Sequence, residues 1–389
     1  MHVVPDYDRA RSQAGFGWSA GGSQGALRAL TGTPIRDFNL DPDVCIDCFR
    51  RGRPLLHEMF GPDVGLPGVS TPAVSYGHPN CLGSELLFPE NGEVAHTHIY
   101  GSLEQAIKAL QEPVDWGSAG MAPFFLDFRE KLQQAFPEEK VRLSFGAEGP
   151  LTTAYEVRGD GFFMEVHDRP ELTQEFLRVL VDNTLDFLRW DAQVNERPAM
   201  NPTGSGMCDD IASFISPALF PTIVIPAWEQ YYSGQTTGKR SAHVEDLNPA
   251  QLPFLETVGL SSFDPSISPK LTPRLVADHC RVPFVWRLGG FHYREMDEQE
   301  VEDFVFQSAA DGASGVTTVI EEVMCTEANA AKVQAFIRAG KETKALLEQG
   351  CSREELGQRV SPAGREKLWD KWCGYNGPQS SRGGARVSA

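Results

Sequence analysis

The chain has 389 residues and a mass of 42.8 kDa, a size that suits one large barrel domain or two medium ones. Its 35 basic residues against 53 acidic ones give a formal charge of −18. That balance argues against nucleic acid or an anionic membrane as the main partner, yet leaves room for an anionic substrate held by a local arginine. No apolar stretch approaches the roughly 20 residues of a membrane span, and the first residues lack the basic start and apolar run of a signal peptide. Eight scattered cysteines then read as free thiols in a reducing cytoplasm. Cys45 and Cys48 form a lone CxxC with no second pair to match it, so incidental spacing is favoured over a structural zinc.

Residues 1–140 are rich in Gly and Pro and read as an irregular N-terminal extension with the first barrel units. Short helical pieces are expected at 102–110 and 124–136. From Val141 the pattern changes to strands alternating with helices. A compact apolar run at 141–146 precedes a helix over 169–190, with Phe176, Leu177, Leu180, Val181, Phe187 and Leu188 at helical spacing. A poorer strand at 199–203 leads to a helix at 217–232. Strands at 241–244 and 259–263 precede helices at 249–258 and 272–280. The strand at 283–288 precedes a helix starting at Asp297, with Glu300 completing a capping box. The strand at 315–324 precedes a helix starting at Thr326.

Such βα units in succession imply parallel strands. The expected fold is α/β, a closed (β/α)8 TIM barrel whose main part spans 141–350. No glycine-rich fingerprint follows any strand, which weakens a dinucleotide-binding alternative. Residues 376–389, with Ser, Gly and Arg dominant, are expected to be a disordered tail.

In a βα barrel the chemistry gathers at the C-terminal ends of the strands. Those ends supply Glu148, then Asp209 and Asp210, then His243 and Glu245, then Asp264, Arg287, Glu321, Glu322 and Cys325. Each has an ordinary reading alone: Asp264 as a turn cap, Arg287 as an ion-pair partner, Cys325 as a small buried hydrophobe, His243 as a hydrogen-bonded core residue. Together they offer a nitrogen, a hard oxygen and a soft sulfur. In an extended segment residues i and i+2 share a face, so His243 and Glu245 converge while Val244 points away. The set His243, Glu245 and Cys325, with a fourth position open, suits a catalytic zinc. Asp246 is the competing oxygen ligand.

Four segments resemble the uroporphyrinogen decarboxylase superfamily, and within it the corrinoid-dependent zinc methyltransferase branch. They are Glu148-Gly149-Pro150-Leu151-Thr152-Thr153-Ala154, then Asp209-Asp210 followed by Ile215-Ser216-Pro217-Ala218-Leu219-Phe220. The others are Ala242-His243-Val244-Glu245 ahead of Gly259-Leu260, and Cys325 before the last long helix. The similarity spans roughly residues 53–347. That branch carries His-x-Cys on one strand and a later Cys, so His243 and Cys325 match while Glu245 replaces the first Cys.

The resemblance implies methyl transfer between a small methylated ether, amine or thiol/thioether and a corrinoid. The corrinoid would be carried on a separate cobalamin-binding protein. It further implies zinc on His243, Glu245 and Cys325, proton donation by Asp209, Asp210 or Glu148, and substrate contacts from Tyr155, Asp264 and Arg287. The alternative is a lyase of uroporphyrinogen decarboxylase type in porphyrin biosynthesis. It fits less well: no arginine-rich N-terminal motif stands in residues 1–60, and Tyr155 lies one place before the decarboxylase tyrosine.

Overall fold

In the computed structural model, residues 4–268 and 270–367 are described. The segment 376–389, expected to be a disordered tail, lies outside them. Among the described residues eight strands occur: β1 (Gly17–Gly22), β2 (Leu86–Leu87), β3 (Ala95–His96), β4 (Gly204–Cys208), β5 (Lys239–His243), β6 (Ser262–Asp264), β7 (Val285–Leu288) and β8 (Gly315–Ile320). They fall in three sheets. The fold is therefore α/β, with parallel pairing in the sheet β1-β8-β7 and an antiparallel pair β2-β3, while the closed eight-stranded barrel expected from the sequence is not shown. No helix among the described residues is long and apolar enough to cross a membrane. The described residues divide into two compact units, the first comprising 32–50 and 68–242, the second 4–31, 51–67, 243–268 and 270–367.

The first unit is dominated by the helix Pro170–Val194, which covers the helix expected at 169–190. Its proline at the first position lacks an N–H that the helix could not have bonded anyway. Phe176, Leu177, Leu180, Val181 and Phe187 are buried along it. Phe187 joins a core cluster with Val74, Cys81, Leu86, Trp116, Ala122, Phe125, Leu143 and Phe145. Phe125 stacks on Phe145 at 5.0 Å, and Trp116 meets Phe187 edge-on at 5.3 Å.

In the run at 141–146 Val141, Leu143 and Phe145 are buried while Arg142 is exposed, and the run makes only isolated parallel bridges, Ser70 to Arg142 and Val74 to Phe145. Side chains occupy the positions a neighbouring strand would take. Asn195 Oδ1 accepts from Leu143 N–H at 2.9 Å, and Thr71 Oγ1 accepts from Ser144 N–H at 2.8 Å. The strand expected at 199–203 stands instead at β4, beside β5. Its glycines permit close approach: a Cβ at Gly204 would lie 2.7 Å from Lys239 O, and one at Gly206 2.8 Å from Ser241 Oγ. The helix expected at 217–232 is broken into a 3-10 turn, a π turn at Phe220–Val224 and an α-helix at Ile225–Ser233.

The second unit is built on the parallel sheet β1-β8-β7, with Gly17 opposite Gly315 and Gly22 opposite Ile320. β7 pairs on the other side of β8, Val285 opposite Gly315 and Leu288 opposite Thr318. Tyr293 donates to Thr318 Oγ1 at 3.1 Å, and Thr318 donates onward to Leu288 O at 2.9 Å. The helix Glu298–Ala310 begins at the expected Asp297–Glu300 capping box, and Glu327–Glu348 begins at its Thr326 cap. β1, in the region read as irregular, is a finding of the structure alone.

Candidate functional site

Two clusters of chemically able side chains occur, one in each unit. In the first unit Gly149 ends an extended approach and Pro150 opens the helix Pro150–Arg158. Gly149 N–H donates to Cys208 O at 2.6 Å, bringing the start of this helix against the end of β4. There Asp209 is fully buried. Its Oδ1 accepts from Thr152 N–H at 2.7 Å and its Oδ2 from Trp228 Nε1 at 2.6 Å. Burial raises its carboxyl to about 7, against the lowering pull of the Thr152 and Trp228 donors, and the neighbouring Asp210 adds to the rise. Asp209 is thus placed to hold or release a proton near neutrality.

Glu156, on the same helix, is only 2% exposed, and neither carboxylate oxygen has a hydrogen-bond partner. Burial first, then the charges of Glu148 and Asp209, hold it well above the usual carboxylate range. The sequence reading passed over Glu156 and chose Tyr155. The Tyr155 ring lies 5.4 Å from His98 and 5.5 Å from Phe163. The signal for Glu156 was its place on the helix: three and four residues after Thr153 and Thr152, it shares their face. Glu148 and Asp210 stand half-buried beside this cluster, and Glu148 O accepts from Thr153 Oγ1 at 3.1 Å.

In the second unit His243 ends β5, and Val244 N–H donates to Asp264 O of β6 at 3.1 Å. Asp264 Oδ2 lies 2.9 Å from His243 Nδ1, and Glu245 Oε1 lies 3.6 Å from His243 Nε2. Val244 is fully buried between them in sequence, so the alternation expected from the strand holds through Glu245. Asp246 then turns into the left-handed region, at φ 59°. Its Oδ1 is buried with no hydrogen-bond partner.

Asp264 is fastened by Ser266 N–H at 2.8 Å to Oδ1 and by Arg287 Nη2 at 3.7 Å from Oδ2. Burial pulls its carboxyl upward, but the His243 bond and the charges of His243 and Arg287 prevail and leave it lowered. Glu245 is lowered too, first by its hydrogen bond with His243.

Cys325 keeps different company. Its Sγ lies 3.7 Å from Glu321 O and 3.8 Å from Ala26 O. Burial, then the charges of Glu322 and Glu321, push its thiol up to about 11. Glu321 accepts from Ser23 Oγ at 3.0 Å and Glu322 pairs with Arg28 at 3.5 Å, which assigns both to holding the chain after β8. Of the expected zinc ligands the structure joins His243 to Glu245. No group of three or more His, Cys, Asp or Glu side chains among the described residues is set to hold a metal ion.

The chain matches no family model and no curated protein. Among solved structures it is similar to one titled methyltransferase from Methanosarcina mazei, with a TM-score of 0.60 and 16% identity. The match covers 84% of this chain and 94% of that one. At that identity the likeness is one of fold.

Proposed function

We propose that the chain is a methyltransferase of the uroporphyrinogen decarboxylase superfamily, with the barrel architecture of that group. It would move a methyl group between a small methylated ether, amine or thiol/thioether and a corrinoid on a separate cobalamin-binding protein in the cytoplasm. The observation that carries the reading is the His243 ring, held at Nδ1 by Asp264 with the Glu245 carboxylate beside Nε2. A carboxylate behind a histidine fixes its tautomer and presents the other nitrogen to a metal. The fold likeness to a structure titled methyltransferase supports it.

His243 and Glu245 fit two ligands of a zinc site, with Asp264 as the orienting group; Cys325 is not gathered with them as the chain stands. Zinc, when bound, supplies Lewis-acid activation of the substrate heteroatom. The chain's own residues do the rest. Asp264 orients His243 and Arg287 steadies Asp264, while in the first unit Asp209 holds a proton at its buried carboxyl.

The test is metal content followed by methyl transfer to a Co(I) corrinoid. The purified protein is expected to hold about one zinc per chain and to lose transfer with His243→Ala. Full zinc retained by the double variant His243→Ala, Cys325→Ser sinks the site. Chelator-insensitive release of carbon dioxide from uroporphyrinogen reverses the choice of reaction.

A further inference from the structure

Arg287 carries N–H donors that the fold leaves unused. β7 alternates, with Trp286 and Leu288 buried while Val285 and Arg287 are half-buried on the opposite face. Among the described residues Nε of Arg287 is buried with no hydrogen-bond partner. Its ion pair with Asp264 Oδ2 stands at 3.7 Å, beyond hydrogen-bond length. Asp264 spends its oxygens elsewhere, Oδ2 on His243 Nδ1 at 2.9 Å and Oδ1 on Ser266 N–H at 2.8 Å. Arg287 thus steadies Asp264 by charge, while 30% of its side chain stays open to solvent. A guanidinium offers five N–H donors in a plane that matches a carboxylate at two points at once. Half-buried without an acceptor, it is placed to take one from outside.

Apolar side chains gather just beyond it in the chain. Gly289, two residues on, leaves room where a side chain would clash: a Cβ there would lie 2.1 Å from Ile267 Cδ1 and 3.3 Å from Phe291 Cε1. Ile267 and Phe291 therefore meet at this glycine, and Phe291 is exposed. Toward β5 a single Asp264 oxygen stands between the guanidinium and the His243 ring. All of these residues belong to the second unit. One small molecule can therefore place an anion on Arg287 and its other end at His243.

We propose that Arg287 binds a carboxylate of the substrate, with Ile267 and Phe291 against the apolar part of the same molecule. This rests on the methyl-transfer reading and narrows its substrate to a small methylated compound that bears a carboxylate. The carboxylate accepts from two guanidinium N–H groups. No covalent bond changes and no proton moves on binding. A methylated compound without a carboxylate leaves those N–H groups unmet.

The experiment is calorimetric titration of the purified full chain at pH 7 with sodium methoxyacetate, using methoxyacetamide as its neutral analogue. Saturable binding of methoxyacetate is expected, at least about tenfold tighter than that of the amide, as for a charge-assisted hydrogen-bonded pair. Arg287→Gln should erase that preference. The comparison of the two probes on the parent chain stands whether or not the variant folds. Repeating it after chelation separates Arg287 from zinc, which also takes carboxylates, and the preference should persist. No saturable binding of methoxyacetate, equal binding of the amide, a preference lost on chelation, or a preference kept by a folded Arg287→Gln overturns the proposal. Methyl transfer from methoxyacetamide as fast as from methoxyacetate overturns this site and leaves the methyl-transfer reading intact. A carboxylate preference owed to Arg287, without transfer from any donor, does the reverse.

Discussion

Gly149 and Asp209 lie so close that a Cβ added at 149 would sit 2.5 Å from the Asp209 Cβ. That approach lets the Thr152 N–H reach the carboxylate from the first turn of a helix, while Trp228 reaches it from another. Gly149→Ala therefore forces the helix start away from Asp209. The expected cost is about 1–3 kcal/mol of stability, as for other overpacked sites, measured by urea unfolding.

The Asp209 carboxyl also makes stability depend on pH. Its native value of about 7 stands above an unfolded value of about 3.9. Between these limits the native state keeps a proton that the unfolded chain has released. The contribution is fully present below the unfolded value and is lost as pH rises through 7. It amounts to about 4 kcal/mol at most. Urea unfolding of the parent between pH 4.5 and 8 should show a steeper decline than that of Asp209→Asn. Burial raises Glu156 in both proteins, and only the part of its rise owed to the Asp209 charge is lost in the variant, so the difference between the two curves reports Asp209 together with its coupling to Glu156. Parallel curves would show that Asp209 ionises normally.

What the sequence disclosed follows where local chemistry fixes structure. The Asp297–Glu300 box and the Thr326 cap were legible because a side chain bonds the backbone three residues on, whatever the rest of the fold does. His243 and Glu245 were legible through strand alternation. β1 was not, since Gly17-Trp18-Ser19-Ala20-Gly21-Gly22 lacks β-branched residues and is a strand only through its pairing with β8. The helix Pro42–Phe60 was hidden by Gly52 and Pro54. Gly52 is required because a Cβ there would lie 2.9 Å from Leu27 Cβ, a contact between residues distant in sequence. Helical spacing placed Glu156 on the face of Thr152 and Thr153, but its lack of hydrogen-bond partners is set by tertiary packing and could not be read from the sequence.

The capping box yields a plain stability prediction. Asp297 accepts from Glu300 N–H at 2.9 Å, and Glu300 Oε2 accepts from Asp297 N–H at 2.8 Å. Asp297→Ala should cost about 1 kcal/mol and Glu300→Ala less, read from urea midpoints with unchanged slopes. Methyl transfer at low temperature should be unaffected.

The metal reading is tested most sharply through Asp264, which need not touch the metal at all. Its Oδ2 takes the His243 Nδ1 side at 2.9 Å, and Ser266 N–H and Arg287 fix the carboxylate in turn. Removing it leaves the ring free to rotate and to take the wrong tautomer. Asp264→Ala should weaken zinc by about 10–100-fold in a chelator competition, with Asp264→Asn retaining more of the affinity. Glu245→Ala should lose zinc more severely, since it deletes the oxygen 3.6 Å from His243 Nε2. Asp246→Ala should leave zinc bound, because its left-handed backbone turns it out of the strand alternation. If zinc survives Glu245→Ala and fails with Asp246→Ala, the oxygen ligand is Asp246, whose buried Oδ1 has no hydrogen-bond partner. Zinc indifferent to Asp264, Glu245 and Asp246 alike would remove the metal from this end of β5 altogether.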